Sequence, residues 1–214
     1  MDCRKIVVQA GRRMLHSGLT VETWGNISVR DPETGLVYLT PSAMPYDTLT
    51  PDDIVVMHPD GGIAQGSRKP TVESGMHLGI YRARPDIGAV IHTHPVYSTV
   101  FGVLHRPIPP VIDEAAQVLG GTVQVTEYAL PGTAELAANV VKTLGERGAA
   151  CLIANHGAVC VGKNIDAAFK ACEVLEMTAQ IYRMALEIGT PNVISEGNVA
   201  YMKDFMEHHY GQAK

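Results

Sequence analysis

The feature that most restricts the fold of this chain is the brevity of the turns between its apolar runs. NISVR and LVYLT are separated only by the segment Asp31 to Gly35, and AACLIANHG leads directly into AVCVG. Parallel neighbours need a crossover of about a dozen residues or more, usually a helix, so joints this short favour antiparallel pairs. Longer segments with helical spacing stand between these hairpin-like units. The expected fold is α/β, with one domain over residues 1–214 and a central, mostly antiparallel sheet flanked by helices. With 46% apolar residues, a chain of 214 can bury a substantial core.

The individual elements follow from periodicity and punctuation. Ile6, Val7, Ala10, Met14 and Leu15 lie at helical spacing before Gly18. A brief helix is expected at Pro51, then a strand at IVVM and a turn at HPDGG. Thr71 is placed to cap the next helix, with Glu73 in its first turn and Pro85 at its end. GAVIHTHP reads as a strand, and Pro95 opens a helix to about Leu104. Residues 107–125 read as irregular apart from a strand at TVQV. Helices are expected over 134–147, over 165–188 before Gly189 and Pro191, and from about Ser195 to His208.

Charge and composition exclude several functions. Net charge is −5, and no run of Lys or Arg could track a nucleic acid or an anionic membrane. The first apolar run is too short for a secretory signal, and no stretch approaches the roughly 20 apolar residues that span a bilayer. The four cysteines, Cys3, Cys151, Cys160 and Cys172, have neither metal-finger nor C-x-x-C spacing. Cys151 and Cys160 lie in apolar runs and read as buried thiols, which places the chain in a reduced cytoplasm.

Histidines carry the strongest chemical signal. His92 and His94 sit two residues apart at the end of an apolar strand, so their imidazoles share one face. His156 ends a second apolar run. If the two strands are neighbours, three imidazoles converge. Three protein ligands plus an open position is the pattern of a catalytic zinc site, and imidazole also suits other divalent transition metals. The bland alternative is satisfied histidines at strand ends; a pair at strand spacing weighs against it, and a third histidine after a second apolar run weighs further. Glu73 reads either as a carboxylate at a helix N-terminus or as a general base near that metal. His77 lies four residues further along the same helix face. Three loops rich in backbone donors and hydroxyls, Gly25-Asn26, Thr40 to Ala43 and Lys69 to Val72, could cradle a phosphate without an Arg clamp.

In this order and at these separations, GNISVR, TPSAMPY, PTVE, HTHP and NHGAVCVG resemble the class II aldolase and adducin-head family, over nearly the whole chain. The resemblance implies an antiparallel sheet flanked by helices. It also implies a homotetramer with active sites between subunits. Zinc ligands map onto His92, His94 and His156. The catalytic carboxylate, which also approaches the metal, maps onto Glu73. The phosphate pocket maps onto Gly25, Asn26, Ser42, Ala43, Thr71 and Val72, and a proton-donating tyrosine maps onto Tyr210. Ala43 stands where the family's fuculose branch carries Gly, and Val72 where it carries a serine.

The implied activity is reversible aldol cleavage of a small phosphorylated sugar. The substrate would be a ketose 1-phosphate of fuculose, 5-deoxypentulose or methylthiopentulose type, yielding dihydroxyacetone phosphate and an aldehyde. A second departure bears on this: Asp113 and Glu114 replace a tyrosine-bearing segment of that branch. Epimerases and dehydratases of the family place a carboxylic acid near there, so an epimerase, dehydratase or decarboxylase on the same metal is the alternative. The adducin-head modules lack the metal histidines that this chain keeps. Pro, Val and Ile at 107–112 are expected to line an apolar end of the substrate pocket, and Asp113 and Glu114 to meet the substrate.

Overall fold

The structure, a computed structural model, describes residues 2–209. Its frame is a seven-stranded sheet in the order β4-β3-β2-β1-β5-β7-β6. The strands are β1 (Asn26–Arg30), β2 (Val37–Leu39), β3 (Val55–Met57), β4 (Ile63–Gln65), β5 (Ala89–Thr93), β6 (Ala150–Ile153) and β7 (Gly157–Gly162). Every pair within the sheet is antiparallel. The short turns thus act as expected, and the two hairpins β1–β2 and β6–β7 are brought together by β5, which runs between β1 and β7.

Helices cover both faces. Period-two alternation sends Ile27, Val29, Ala89, Ile91, Ala158 and Cys160 to one side. There they pack against α1 (Cys3–His16), α3 (Val96–Val103), α4 (Asp113–Val118) and α6 (Ile165–Ile188). The intervening Val90, Val159 and Val161 face α2 (Ser74–Ala83) and α5 (Ala134–Leu144). Burial of one such Val, Ile or Phe is worth about 1.5–3 kcal/mol. A one-residue slip of β5 would trade its two faces, break that packing and carry His92 into the apolar layer under α1 and α6.

Local sequence explains the helix ends. The side chains of Asp2, Thr133, Asn164 and Ser195 accept backbone N–H bonds at the starts of α1, α5, α6 and α7 (Glu196–His208). Among the described residues no helix is long and apolar enough to cross a membrane. All four cysteines are free and buried.

Some expectations change. Residues 123–126 do not join the sheet as a strand. They make isolated bridges to Ile108 and Leu152, with Leu152 N–H donating to Gln124 O and Thr126 N–H to Leu152 O, each at 2.9 Å. This segment shields the outer edge of β6, where unpaired backbone would otherwise remain. The region after residue 107 also holds a helix, α4. Thr71 does not cap α2: its hydroxyl accepts from Glu73 N–H, and Glu73 itself occupies the N-cap position without a side-chain capping bond. Ile108 is buried in the core and so does not line a substrate pocket, whereas Pro110 is buried but borders a surface cavity with Thr122 and Val193.

Candidate metal centre

The centre lies where β5 and the β6–β7 turn end together. Gly157 opens β7, and the register pairs His92 with Val159 on one side and with Asn26 on the other. His156 does not end a strand; it sits in the tight turn between β6 and β7. β5 neighbours β7 rather than β6, so that turn brings His156 level with His92 and His94.

The three imidazoles meet at ring-centroid separations of 4.7, 4.8 and 4.9 Å. One ligand atom from each lies within 4.8 Å of the others. His92 is fully buried, and its Nδ1 donates to Ala158 O at 2.9 Å. That bond fixes the tautomer and leaves the Nε2 lone pair turned toward His94 Nε2, 2.9 Å away. Glu73 completes the group, with Oε2 at 3.2 Å from His92 Nε2 and Oε1 at 3.9 Å from His156 Nδ1.

The donor set fits a divalent cation. Among the described residues, Glu73 Oε1 and His156 Nδ1 are buried without a hydrogen-bond partner, and His92 Nε2 turns its lone pair into the same space. Such groups are costly unless something between them accepts their electrons, and one cation does so for all of them. Electrostatics agree. Burial, followed by the neighbouring His92 ring, lowers His94 to about 3, and burial likewise lowers His156, so both are neutral ligands at pH 7. Burial alone would raise the Glu73 carboxyl. His92, the Asn26 amide, His156 and His77 outweigh it and hold the carboxyl below its usual range.

Neighbouring elements hold the ligands in place. The His94 N–H donates to Leu19 O, and the Trp24 ring stacks over His94 with 6.4 Å between centroids. Glu176 on α6 accepts from the Tyr97 and Ser98 N–H groups at 2.7 and 2.8 Å, capping α3 just after His94-Pro95. Asn155, with φ +55°, accepts from His105 Nε2 at 2.7 Å and fixes the turn that carries His156. The only tryptophan of the chain, directly before Gly25-Asn26, is the one sequence signal for this outer layer.

The three donor-rich loops do converge. Pro41 bridges Pro70, Ser42 N–H donates to Lys69 O at 3.0 Å, and Thr71 N–H donates to Thr40 O at 3.2 Å. Thr40 Oγ1 accepts from Ile27 N–H at 3.2 Å. Gly25 takes φ +71°, and a Cβ there would come within 2.6 Å of His92 O, so Gly is required. Ala43 adopts φ +55°, a left-handed conformation that costs a residue with a Cβ about 1 kcal/mol. Val72 is 68% exposed and Thr71 is buried. Thr71 and Val72 run directly into Glu73, and Asn26 touches it, so the loops adjoin the histidines.

Two expectations lie elsewhere. Asp113 and Glu114 are exposed in the first turn of α4, in the helix layer across the sheet from α2, and do not join this cluster. Tyr210 lies outside the described residues.

Sequence spacing alone did not identify the layer beneath Glu73. Asn26 Nδ2 donates to Glu73 Oε2 at 2.9 Å, and its Oδ1 lies 2.5 Å from His77 Nε2. Ser28 Oγ lies 2.6 Å from His77 Nδ1, and the Tyr81 hydroxyl donates to Ser28 O at 3.0 Å. The signal was present as Asn26 and Ser28 two apart on a strand, and Glu73, His77 and Tyr81 four apart on a helix.

His77 is wholly buried, and desolvation lowers it to about 3, from 6.5. Its contribution to stability is therefore complete above pH 6.5 and declines as pH falls toward 3, because only the unfolded chain takes up the proton. The slope is about 1.4 kcal/mol per pH unit. Urea unfolding of metal-free protein between pH 7 and 4 should show that slope made shallower by one proton in His77→Gln; equal slopes would contradict it.

Residues 5–183 match the family described as Class II Aldolase and Adducin N-terminal domain. A 5-deoxy-D-ribulose 1-phosphate aldolase of Bacillus thuringiensis is 38% identical over 209 residues, spanning 98% of this chain and 97% of that protein. A 5-methylthioribulose-1-phosphate/5-deoxyribulose-1-phosphate aldolase of Rhodospirillum rubrum is 38% identical over 188 residues, 88% of this chain and 83% of that one. A solved structure of an L-fuculose 1-phosphate aldolase superposes with a TM-score of 0.93 at 37% identity, covering 96% of both chains. With this fold and these histidines, the chain belongs to the class II aldolase and adducin N-terminal domain family.

Proposed function

We propose that this protein is a metal-dependent aldolase that reversibly cleaves a ketose 1-phosphate to dihydroxyacetone phosphate and an aldehyde. The observation that carries the reading is the Glu73 carboxylate, ionised, with one oxygen held by Asn26 and the other unpartnered beside three imidazoles. His92, His94 and His156 would hold the ion, with Glu73 as a displaceable fourth ligand. Zinc is the favoured metal for a three-imidazole set. When bound, it supplies Lewis acidity to the ketone oxygen and the adjacent hydroxyl.

The remaining work falls to side chains. In condensation, the Glu73 carboxylate takes a proton from the carbon beside the ketone of dihydroxyacetone phosphate, that carbon's electron pair forms the bond to the aldehyde carbon, and the Tyr210 hydroxyl, contributed by a neighbouring copy in a fourfold assembly, gives its proton to the aldehyde oxygen. The proton on Glu73 then returns to Tyr210 through solvent, and cleavage is the same sequence reversed. Gly25, Asn26, Ser42, Ala43, Thr71 and Val72 hold the phosphate and orient the reacting carbons. The names of the Bacillus thuringiensis and Rhodospirillum rubrum relatives, which this chain matches over 209 and 188 residues, favour a 5-deoxypentulose or methylthiopentulose 1-phosphate as substrate. The enzyme belongs in the cytoplasm.

Zinc-loaded protein is incubated with dihydroxyacetone phosphate and a panel of short aldehydes, and the products are identified. Condensation, lost on chelation and restored by zinc, is the expected result. Failure with every aldehyde overturns the aldolase reading; activity untouched by chelation overturns the metal.

A further inference from the structure

We propose that His77 is a positioning residue: its Nε2–H locks the Asn26 side-chain amide in the one orientation that turns a donor toward Glu73. The inference deepens the preceding one, since it rests on Glu73 being the group that carries the proton.

An asparagine amide can sit two ways, and only one suits an anion. With its oxygen toward Glu73, two acceptors would face each other at 2.9 Å; with its nitrogen there, a charge-assisted bond forms. The other end of the amide must then accept, and the group 2.5 Å from it is His77 Nε2. Nε2 therefore carries the proton. A neutral imidazole has one, so Nδ1 is an acceptor, and the Ser28 hydroxyl at 2.6 Å donates to it. Tyr81 supports Ser28 from behind, with its hydroxyl on Ser28 O at 3.0 Å and 2.9 Å from Ser28 Oγ. From Ser28 through His77 and Asn26 each donor points toward the carboxylate, and the Tyr81 hydroxyl holds the Ser28 backbone carbonyl behind them.

The chain is sealed. Ser28 and His77 are 0% exposed, Tyr81 2%, Glu73 4% and Asn26 5%, so water does not substitute for a missing member. The backbone sets the spacing. Asn26 and Ser28 alternate onto one face of β1, and Glu73, His77 and Tyr81 line one face at the start of α2, which lies across it. An amide, an imidazole and a hydroxyl that could pair in either sense are thereby committed to one pattern. The purpose is a carboxylate held by one oxygen only, leaving Oε1 free to meet a substrate proton.

Two variants and two readouts test this. Ring ¹⁵N NMR reports which imidazole nitrogen of His77 is protonated, in metal-free and in zinc-loaded protein. Steady-state kinetics report kcat and KM, and metal analysis reports the zinc bound. The wild type is expected to be neutral at His77 with the proton on Nε2. His77→Leu is expected to lower kcat about 10- to 100-fold, the usual cost of an outer-layer partner. KM and zinc content should stay near wild type. His77→Gln, whose amide donates to the same Asn26 oxygen, is expected to recover most of the loss.

A proton on Nδ1 overturns the proposal, as do folded His77→Leu and His77→Gln proteins with the same kcat. Should His77→Leu fail to fold, Ser28→Ala replaces it. Removing the donor to Nδ1 should then populate the other tautomer and lower kcat, and no change in either would overturn the proposal. A protein with no aldol activity whose His77 keeps its proton on Nε2 would remove the proposed function but leave the hydrogen-bond order standing.

Discussion

Replacing Glu73 with glutamine lowers kcat by about 100- to 10,000-fold, the range that positioned proton transfer contributes. The substitution keeps the shape and removes the charge. Asn26 Nδ2 still finds an acceptor, so the side chain stays where it is. His92, His94 and His156 are untouched, so the metal stays bound, less tightly by whatever the carboxylate contributes. What is lost is the basic oxygen, Oε1, that no group among the described residues satisfies. Stability should change little, because an anion that is 4% exposed is replaced by a neutral group of equal volume. Kinetics, zinc content and thermal unfolding of the same preparation check each part. Activity above a tenth of wild type would mean that another group moves the proton.

Alanine at Gly157 should disturb the site through space alone. A Cβ there would overlap Thr93 O and stand 3.3 Å from both His92 Cε1 and His94 Cδ2. The conflict is one of space, because this backbone carries no left-handed strain. Thr93 pairs with Ala158 in the β5–β7 ladder, so relief requires those strands to part where the ligands lie. Overpacking of this kind costs about 1–3 kcal/mol. In a chain of this size each kcal/mol lowers Tm by about 2–4 °C. Zinc affinity should fall with it, because the imidazoles lose their mutual spacing. Gly197→Ala is the control: Gly197 lies in exposed helix α7 with nothing within 4 Å of the added methyl group, and should stabilise by about 0.5–1 kcal/mol. Equal Tm and zinc affinity in Gly157→Ala and wild type would show that the turn has slack which the packing denies.

Much of this was readable beforehand, and the exceptions share one cause. His92 and His94 were readable because a strand alternates, and His156 because an apolar run stops there. Its place in a turn was not, since the end of β6 and the start of β7 are equally apolar. TVQV has the composition of a strand but lies beyond β6 as a pair of bridges, and composition does not say how far a sheet extends. Glu73 satisfied a helix-start rule and a catalytic reading equally well. Its neighbours decided between them: the carboxylate caps nothing and turns to Asn26 and His92. Ile108 was expected at a pocket because it is apolar, and it went to the core for the same reason.

The chain by itself determined whatever depends on residues close in sequence. Short turns dictated antiparallel hairpins, period two put His92 and His94 on one face, and Asp2, Thr133, Asn164 and Ser195 set where helices begin. An ordered set of motifs further identified the family. Only the tertiary structure decided which strands are neighbours and at what register. That order set Asn26 opposite His92, brought the β6–β7 turn beside β5, and laid His77 and Tyr81 over Ser28. Strand order follows from how two apolar faces are covered by helices distant in sequence, and no local pattern encodes that packing.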